Sequence, residues 1–395
     1  MLQLKFFYSF FCLLTAGCGI FIATMVARIT QIDIFQLSIP LHQPFVISLG
    51  PQYDADNVFI CITTHNGLVG WGECSPYMSI NGESMETCAI VGRYLAQALA
   101  GMDATDIAAC TSAMNRVITR NESIKSAFDM ALYDIAAQVA ALPLYQFLGG
   151  TEKREIATDM TVGLGTPEKM AAEAATYQQQ GFPSIKVKLG TNTAADVARI
   201  AAIRRAIGPH HPLRIDANQG WDVPTAIATL QALGAYTIEH CEEPIARWNL
   251  LELAEVRRQS PIKIMADESC FDQHDARNLA RLQAVDYFNI KLGKSGGIFN
   301  ALQIIDVATE NKIGLQVGCF MESRLGITAL VHLALSSSRI VHYDLDTPLL
   351  LKEDPVAGGM VFGPNGTVTI DDTPGIGASL LPEYQQRSKS WSIKL

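Results

Sequence analysis

Cysteine is present here without a pattern. The nine cysteines, at positions 12, 18, 61, 74, 88, 110, 241, 270 and 319, make no Cys-x-x-Cys pair and no Cys/His group of zinc spacing. That excludes a zinc-finger scaffold, and an odd count argues against a disulfide framework. Reduced thiols used as small core residues suit the cytosol. Positive charge is also scarce. Lys and Arg number 30 against 39 Asp and Glu, a net charge of −9, which excludes nucleic acid and anionic membrane surfaces as partners. Neither Lys nor Arg occurs between Arg28 and Arg93. Charged residues make up only 17% and hydrophobic ones 49%, so the chain is a well-buried globular protein and not a disordered one. No low-complexity segment interrupts it.

Charge is missing altogether between Lys5 and Arg28. The run from Phe6 to Ala27 is long enough to span a bilayer, so residues 6–27 could export or anchor the chain. Leu14-Thr-Ala-Gly-Cys18 has the outline of a lipoprotein cleavage box, with a poorly fitting threonine. The alternative is that Met25 is the true start and residues 1–24 are upstream sequence. The mature chain is then cytoplasmic and needs no membrane, and that reading is preferred because Met25 leads directly into a strand-like run.

At 395 residues the chain is long for one compact core. Residues 25–150 read as an α+β module. Strands are expected at Ile29–Leu37 and Asn57–Thr64, and a hairpin at Asn66-Gly67. Helices follow over 84–148, and the one whose apolar stripe runs over Ser123–Ala141 is broken by Leu142-Pro143. Residues 151–350 change rhythm. Short apolar runs alternate with amphipathic segments: 156–162, 184–189, 213–217, 237–241, 262–266, 287–292, 314–317 and 340–345. That is the rhythm of βα repeats closing into a barrel. The tail, 351–395, is rich in Gly and Pro, has a strand signal at Thr367–Ile370, and is expected to return to the first module.

Barrel enzymes draw their reactive groups from the C-terminal strand ends. Those ends here carry Lys186 and Lys188, Asp216, Glu242, Asp267, Asn289 and Lys291, and Asp344 and Asp346. Residues two apart on a strand share a face. Lys186 and Lys188 therefore point inward together, as do Asn289 with Lys291 and Asp344 with Asp346. Asp216, Glu242 and Asp267 stand one per βα unit and offer only oxygen, which suits Mg²⁺. Glu243 competes with Glu242 in Glu242-Glu-Pro244; strand parity favours Glu242. A cation on a substrate carboxylate eases removal of the adjacent carbon's proton, because the charge of the resulting enediolate is offset. Lys186 and the metal are expected to lower the pKa of Lys188, and Lys188 and Lys291 face each other across the barrel. One can remove a proton from one face of a carbon while the other returns it to the opposite face.

The motifs Lys186-Val-Lys188, Asp216-Ala-Asn218, Glu242-Glu-Pro244, Asp267-Glu-Ser269 and Asn289-Ile-Lys291 give the chain a resemblance to the enolase superfamily, in the muconate lactonizing subgroup. Gly70-Trp-Gly-Glu73 and Ala131-Leu-Tyr-Asp134 with Leu148-Gly-Gly150 extend the likeness into the first module. The resemblance implies a modified TIM barrel, (β/α)₇β, with an α+β capping domain built from the N-terminal region and the C-terminal tail. It also implies one Mg²⁺ per subunit and proton abstraction beside a metal-held carboxylate. Asp344-Leu-Asp346 resembles the dipeptide epimerase signature, because two carboxylates can clamp a dipeptide's ammonium. The expected substrates are Ala-Xaa dipeptides with Xaa small or hydrophobic. L-Ala-D/L-Glu, N-acylamino acids and the succinylbenzoate precursor are the alternatives. Tyr53, in a cap loop expected at 48–57, and Arg324 are further candidate substrate contacts. A homo-oligomer is expected.

Overall fold

The computed structural model describes residues 26–395. The readings of residues 1–24, of Met25 as a start and of most of the 6–27 run lie outside them. Among the described residues, no helix is long and apolar enough to cross a membrane.

The first module begins with a long hairpin, β1 (Ile29–Ile47) and β2 (Gly50–Thr64), followed by β3 (Val69–Cys74). Helices α1 (Met85–Leu99), α2 (Ile107–Val117), α3 (Glu122–Val139) and the one-turn α4 (Leu144–Phe147) follow. Strand alternation puts Ile32, Ile34, Ile60 and Ile62 into one core with Leu95, Ile124 and Phe128 of the helices. The spacing of Gly70 and Gly72 has a packing cause. A Cβ at either would stand 2.2 Å from the Ala131 carbonyl oxygen or 1.9 Å from that of Ala127, so only glycine lets β3 lie against the α3 backbone.

The segment expected as a mobile loop at 48–57 is mostly strand. Residues 50–57 pair with β1, with Asn57 opposite Leu37 and Asp54 opposite Pro40, and only Ser48 and Leu49 form the turn. Pairing with β1 extends the strand expected at Asn57–Thr64 back to the turn.

The barrel expectation at 156–162 needs the largest correction. That run is two strands, β4 (Ile156–Ala157) and β5 (Met160–Val162). Only β5 joins the barrel, while β4 pairs with the tail. Then alternate α5 (Pro167–Gln179), β6 (Ile185–Lys188), α6 (Thr193–Ile207), β7 (Leu213–Asp216), α7 (Val223–Leu233), β8 (His240–Glu242), α8 (Leu250–Gln259), β9 (Lys263–Ala266), α9 (Gln273–Leu282) and β10 (Tyr287–Ile290). A one-turn α10 (Leu292–Ser295), α11 (Ile298–Asn311), β11 (Gly314–Val317), α12 (Arg324–Ser336) and β12 (Ile340–Tyr343) complete it. Strands β5 to β12 form one parallel sheet in sequence order. Its two edges meet through the Asp159 N–H on the Tyr343 carbonyl (3.1 Å) and the Thr161 N–H on the Asp346 carboxylate (2.8 Å).

The tail serves both modules. After β13 (Val356–Gly358) and β14 (Val361–Phe362), β15 (Thr367–Thr369) covers β4. Following β16 (Ala378–Leu380) and α13 (Pro382–Arg387), β17 (Lys389–Lys394) pairs with β1 at the edge of the first sheet. Buried carboxylates fix the cap to the barrel helices. Glu73 accepts the N–H groups of Ser323 and Gly326 at the start of α12, both at 2.8 Å. Asp129 accepts those of Ile298 and Phe299 at the start of α11. In both places the carboxyl oxygens fill orphan N–H groups of a helix start.

Candidate active site

The barrel places its charged residues where the parity argument expects them. Lys188, Asp216 and Glu242 are the last residues of β6, β7 and β8, while Asp267, Lys291 and Asp344 directly follow β9, β10 and β12. All are buried. Lys188 pairs in register with Asp216, and Asp216 with Glu242.

Lys186 is the hub. Its Nζ lies 2.8 Å from Glu242, 2.8 Å from Asp344 and 3.3 Å from Asp216. Burial opposes its charge, but Asp344, Glu242 and Asp216 outweigh burial and hold it well above the usual lysine range. Lys188 Nζ lies 2.7 Å from Asp216 Oδ2, and Lys291 Nζ 2.8 Å from Asp267 Oδ2. Burial alone would lower Lys291; Asp267 and Glu242 push it up instead. Aromatic rings cover both ammonium groups, Phe45 of the cap hairpin 6.0 Å from Lys188 and Phe320 5.0 Å from Lys291.

The two glutamates after Cys241 part company. Glu242 faces inward, accepting Asn289 Nδ2 at 2.8 Å and Gln316 Nε2 at 3.3 Å. Glu243, at φ +36°, turns outward to accept the backbone N–H groups of Asp267 and Ser269 and the Ser269 hydroxyl. Glu243 thus fixes the loop that carries Asp267 and is turned away from the centre. Burial, reinforced by Asp216, raises Glu242 to about 7, and burial raises Glu243 to about 8. For Asp267, burial acts upward, yet Lys291 and Lys294 hold it well below the carboxylate range.

Do these residues fit a hard cation? The donor set of Asp216, Glu242 and Asp267 is all oxygen, from three neighbouring strands. Asp267 Oδ2 is buried with no aligned hydrogen-bond donor, and Glu268 Oε2 beside it is also buried without a partner. Carboxylates crowded enough to raise each other's pKa are a site that a divalent cation relieves. The residues fit. Their oxygens do not converge tightly, since Lys186 bridges Asp216 to Glu242 and Lys291 holds Asp267. Among the described residues, the one trio of ligand atoms within 4.8 Å of one another is Cys319, Asp344 and Asp346.

Asp344 and Asp346 stand together on the β12 side. Asp344 is bound by Lys186, and Asp346 by the Thr161 N–H that closes the barrel seam. Burial and the neighbouring Asp344 push Asp346 to about 6. Thr161, which binds Asp346, also lines a cavity of about 420 Å³ together with Phe45, Leu164, Tyr177 and Leu350 among others.

Two expected contacts are not brought into the cluster. Arg324 is committed elsewhere: its guanidinium binds Asp354 and the carbonyls of Val356, Gly358 and Met360, tying the tail to α12. Tyr53 lies on β2 with 62% of its surface exposed, outside the site's hydrogen bonds. Sequence reasoning passed over Lys294, which is fully buried beside Asp267; its spacing three after Lys291 was the available signal. It also passed over the Arg214–Asp159 ion pair at 2.8 Å beneath Asp344, for which no sequence signal stood out.

Comparison with known proteins gives the family. Residues 29–149 match the mandelate racemase / muconate lactonizing enzyme N-terminal domain, and residues 169–384 match the enolase C-terminal domain-like family. The D-Ala-D/L-Ala epimerase of Cytophaga hutchinsonii is 50% identical over 90% of this chain and 97% of its own length. The L-Ala-D/L-Glu epimerase of Bacillus subtilis is 39% identical over 90% of this chain and 98% of its own. The crystal structure of a Cytophaga hutchinsonii dipeptide epimerase complexed with Mg and D-Ala-L-Val superposes with a TM-score of 0.92, at 48% identity, covering 93% of this chain and all of that one.

Proposed function

Because the chain belongs to the enolase superfamily, in its mandelate racemase and muconate lactonizing branch, we propose that it is a dipeptide epimerase that inverts the α-carbon of the C-terminal residue. The observation that carries this reading is the pairing of two features across one barrel. Lys188 and Lys291 sit four strands apart in an eight-stranded sheet, and Asp344 and Asp346 stand together near the same mouth.

Asp216, Glu242 and Asp267 would hold Mg²⁺. Bound there, it would fix the substrate carboxylate and offset the negative charge that builds on it as the neighbouring C–H breaks. Lys188 takes the α-proton from one face and Lys291 delivers one to the other, or the reverse for the opposite epimer. Both lysines are ion-paired to proposed metal ligands, and at Lys291 the Asp267 carboxylate favours the protonated form, so a cation held by Asp267 would weaken that preference. Lys186 stays cationic and orders the carboxylates around it. Asn289 and Gln316 hold Glu242 inward. Asp344 and Asp346 receive the substrate ammonium, which orients the peptide so that its C-terminal α-carbon lies between the lysines.

The side chain at that carbon is proposed to be small or hydrophobic. A γ-carboxylate needs a cation, and the cap hairpin has no Lys or Arg while Arg324 is occupied by the tail. This favours Ala-Xaa substrates such as D-Ala-D/L-Ala over L-Ala-D/L-Glu. The seven described cysteines are all free and buried, which suits a reducing compartment.

The test is a panel of dipeptides with Mg²⁺ in D₂O, read by mass spectrometry for deuterium at the α-carbon. Free-amine Ala-Ala and Ala-Val should exchange and invert. Equal turnover of N-acetyl-Ala-Ala would return the choice to the N-acylamino-acid racemases.

A further inference from the structure

Lys294 is the one lysine of the site to which the reaction assigns nothing. It sits on α10, the single turn after β10, and none of its surface is exposed. Its Nζ lies 2.8 Å from Asp267 Oδ1 and 2.9 Å from the Asn289 carbonyl, and it also donates to the Asp267 carbonyl. An ammonium has three N–H donors and no acceptor, so all three are spent. Lys294 therefore has no proton directed at a substrate.

Asp267 is held at three points. Its N–H is bound by Glu243 at 2.7 Å, and its carbonyl and Oδ1 by Lys294. Only Oδ2 is left toward the centre, where Lys291 stands 2.8 Å away. A buried carboxylate without such a clamp is free to turn both oxygens onto a divalent cation, since carboxylates bind such ions through one oxygen or two.

Building on the magnesium reading above, we propose that Lys294 is a positioning residue that restricts Asp267 to a single metal-facing oxygen. It thereby keeps a coordination position open for the substrate carboxylate. An octahedral ion held by three single carboxylate oxygens retains about three exchangeable positions, and two-oxygen binding by Asp267 leaves about two.

The experiment uses Mn²⁺ as the probe on the full chain, with water proton relaxation reporting the exchangeable waters on the bound ion. The native protein should give about three. Lys294→Met should give about two, a fall of about 1.5-fold in relaxation enhancement, and should raise KM for the dipeptide more than it lowers kcat. A count of two or fewer in the native protein, which needs no variant, overturns the proposal. So does a folded Lys294→Met protein with native relaxation. If the native protein binds no Mn²⁺ at all, the magnesium reading fails first and takes this inference with it.

Discussion

Lys291 Nζ stands 2.8 Å from Oδ2 of Asp267, and on the other side of the barrel Lys188 repeats the relationship at 2.7 Å from Asp216 Oδ2. Each proposed proton-transfer lysine is thus paired with a proposed metal ligand. The cation and the lysine therefore compete for the same oxygen on each side. Glu242, raised to about 7, must be ionized to hold a cation, so binding of Mg²⁺ should release protons near neutral pH, measurable by calorimetry in buffers of different ionization enthalpy. EDTA treatment should abolish epimerization and added Mg²⁺ restore it. Full activity after rigorous chelation would remove the metal from the account.

Glu242 and Glu243 should separate by mutation. Glu242→Gln removes an inward carboxylate from the centre and should lower kcat/KM by at least about a hundredfold, or about 2.7 kcal/mol. Glu243→Gln keeps an acceptor for the Asp267 and Ser269 N–H groups and should be milder. Kinetics with the reverse ranking would exchange their roles.

Asp344→Asn should raise KM for free-amine dipeptides by roughly ten- to a hundredfold, the loss of one charge-assisted hydrogen bond worth about 1.5–3 kcal/mol. Asp346→Asn should do the same and also lower the melting temperature, because Asp346 closes the barrel seam through Thr161. If both variants lose stability but keep native KM, the pair only braces the barrel.

Much of this site was legible because a barrel turns sequence parity into geometry. Lys186-Val-Lys188, within β6, faces inward for that reason, and the same parity separated Glu242, the last residue of β8, from Glu243; Asp344 and Asp346 come just after β12. What was not legible depends on partners distant in sequence. The run 156–162 divides because β15, some 200 residues later, takes the first part. Arg324 resembles a free cation until the carbonyls of Val356, Gly358 and Met360 surround it. The 48–57 loop becomes strand only through pairing with β1. Lys294 meets its partner Asp267 only because α10 packs beside the loop after β9, a preceding βα unit.

Asp129 supplies a test away from the chemistry. Burial pushes its carboxyl up to about 8, although the Ile298 and Phe299 N–H groups act in the opposite direction. A carboxyl with a raised folded-state pKa contributes most stability at low pH and loses it as pH rises from the unfolded value, 3.8, to about 8. Asp129→Asn keeps an acceptor for the α11 N–H groups without the charge. Its melting temperature relative to the native protein should therefore rise between pH 5 and pH 8.5. A constant difference across that range would show that Asp129 is ionized throughout.

The central claim is that Lys188 and Lys291 serve opposite faces of one carbon. It is tested most directly by incubating each single variant, Lys188→Ala and Lys291→Ala, with Mg²⁺ in D₂O and each epimer of Ala-Ala separately. Neither variant should invert, and each should exchange the α-proton of one epimer only, with opposite preferences. Exchange of both epimers by either variant, or near-native inversion by either, would contradict it.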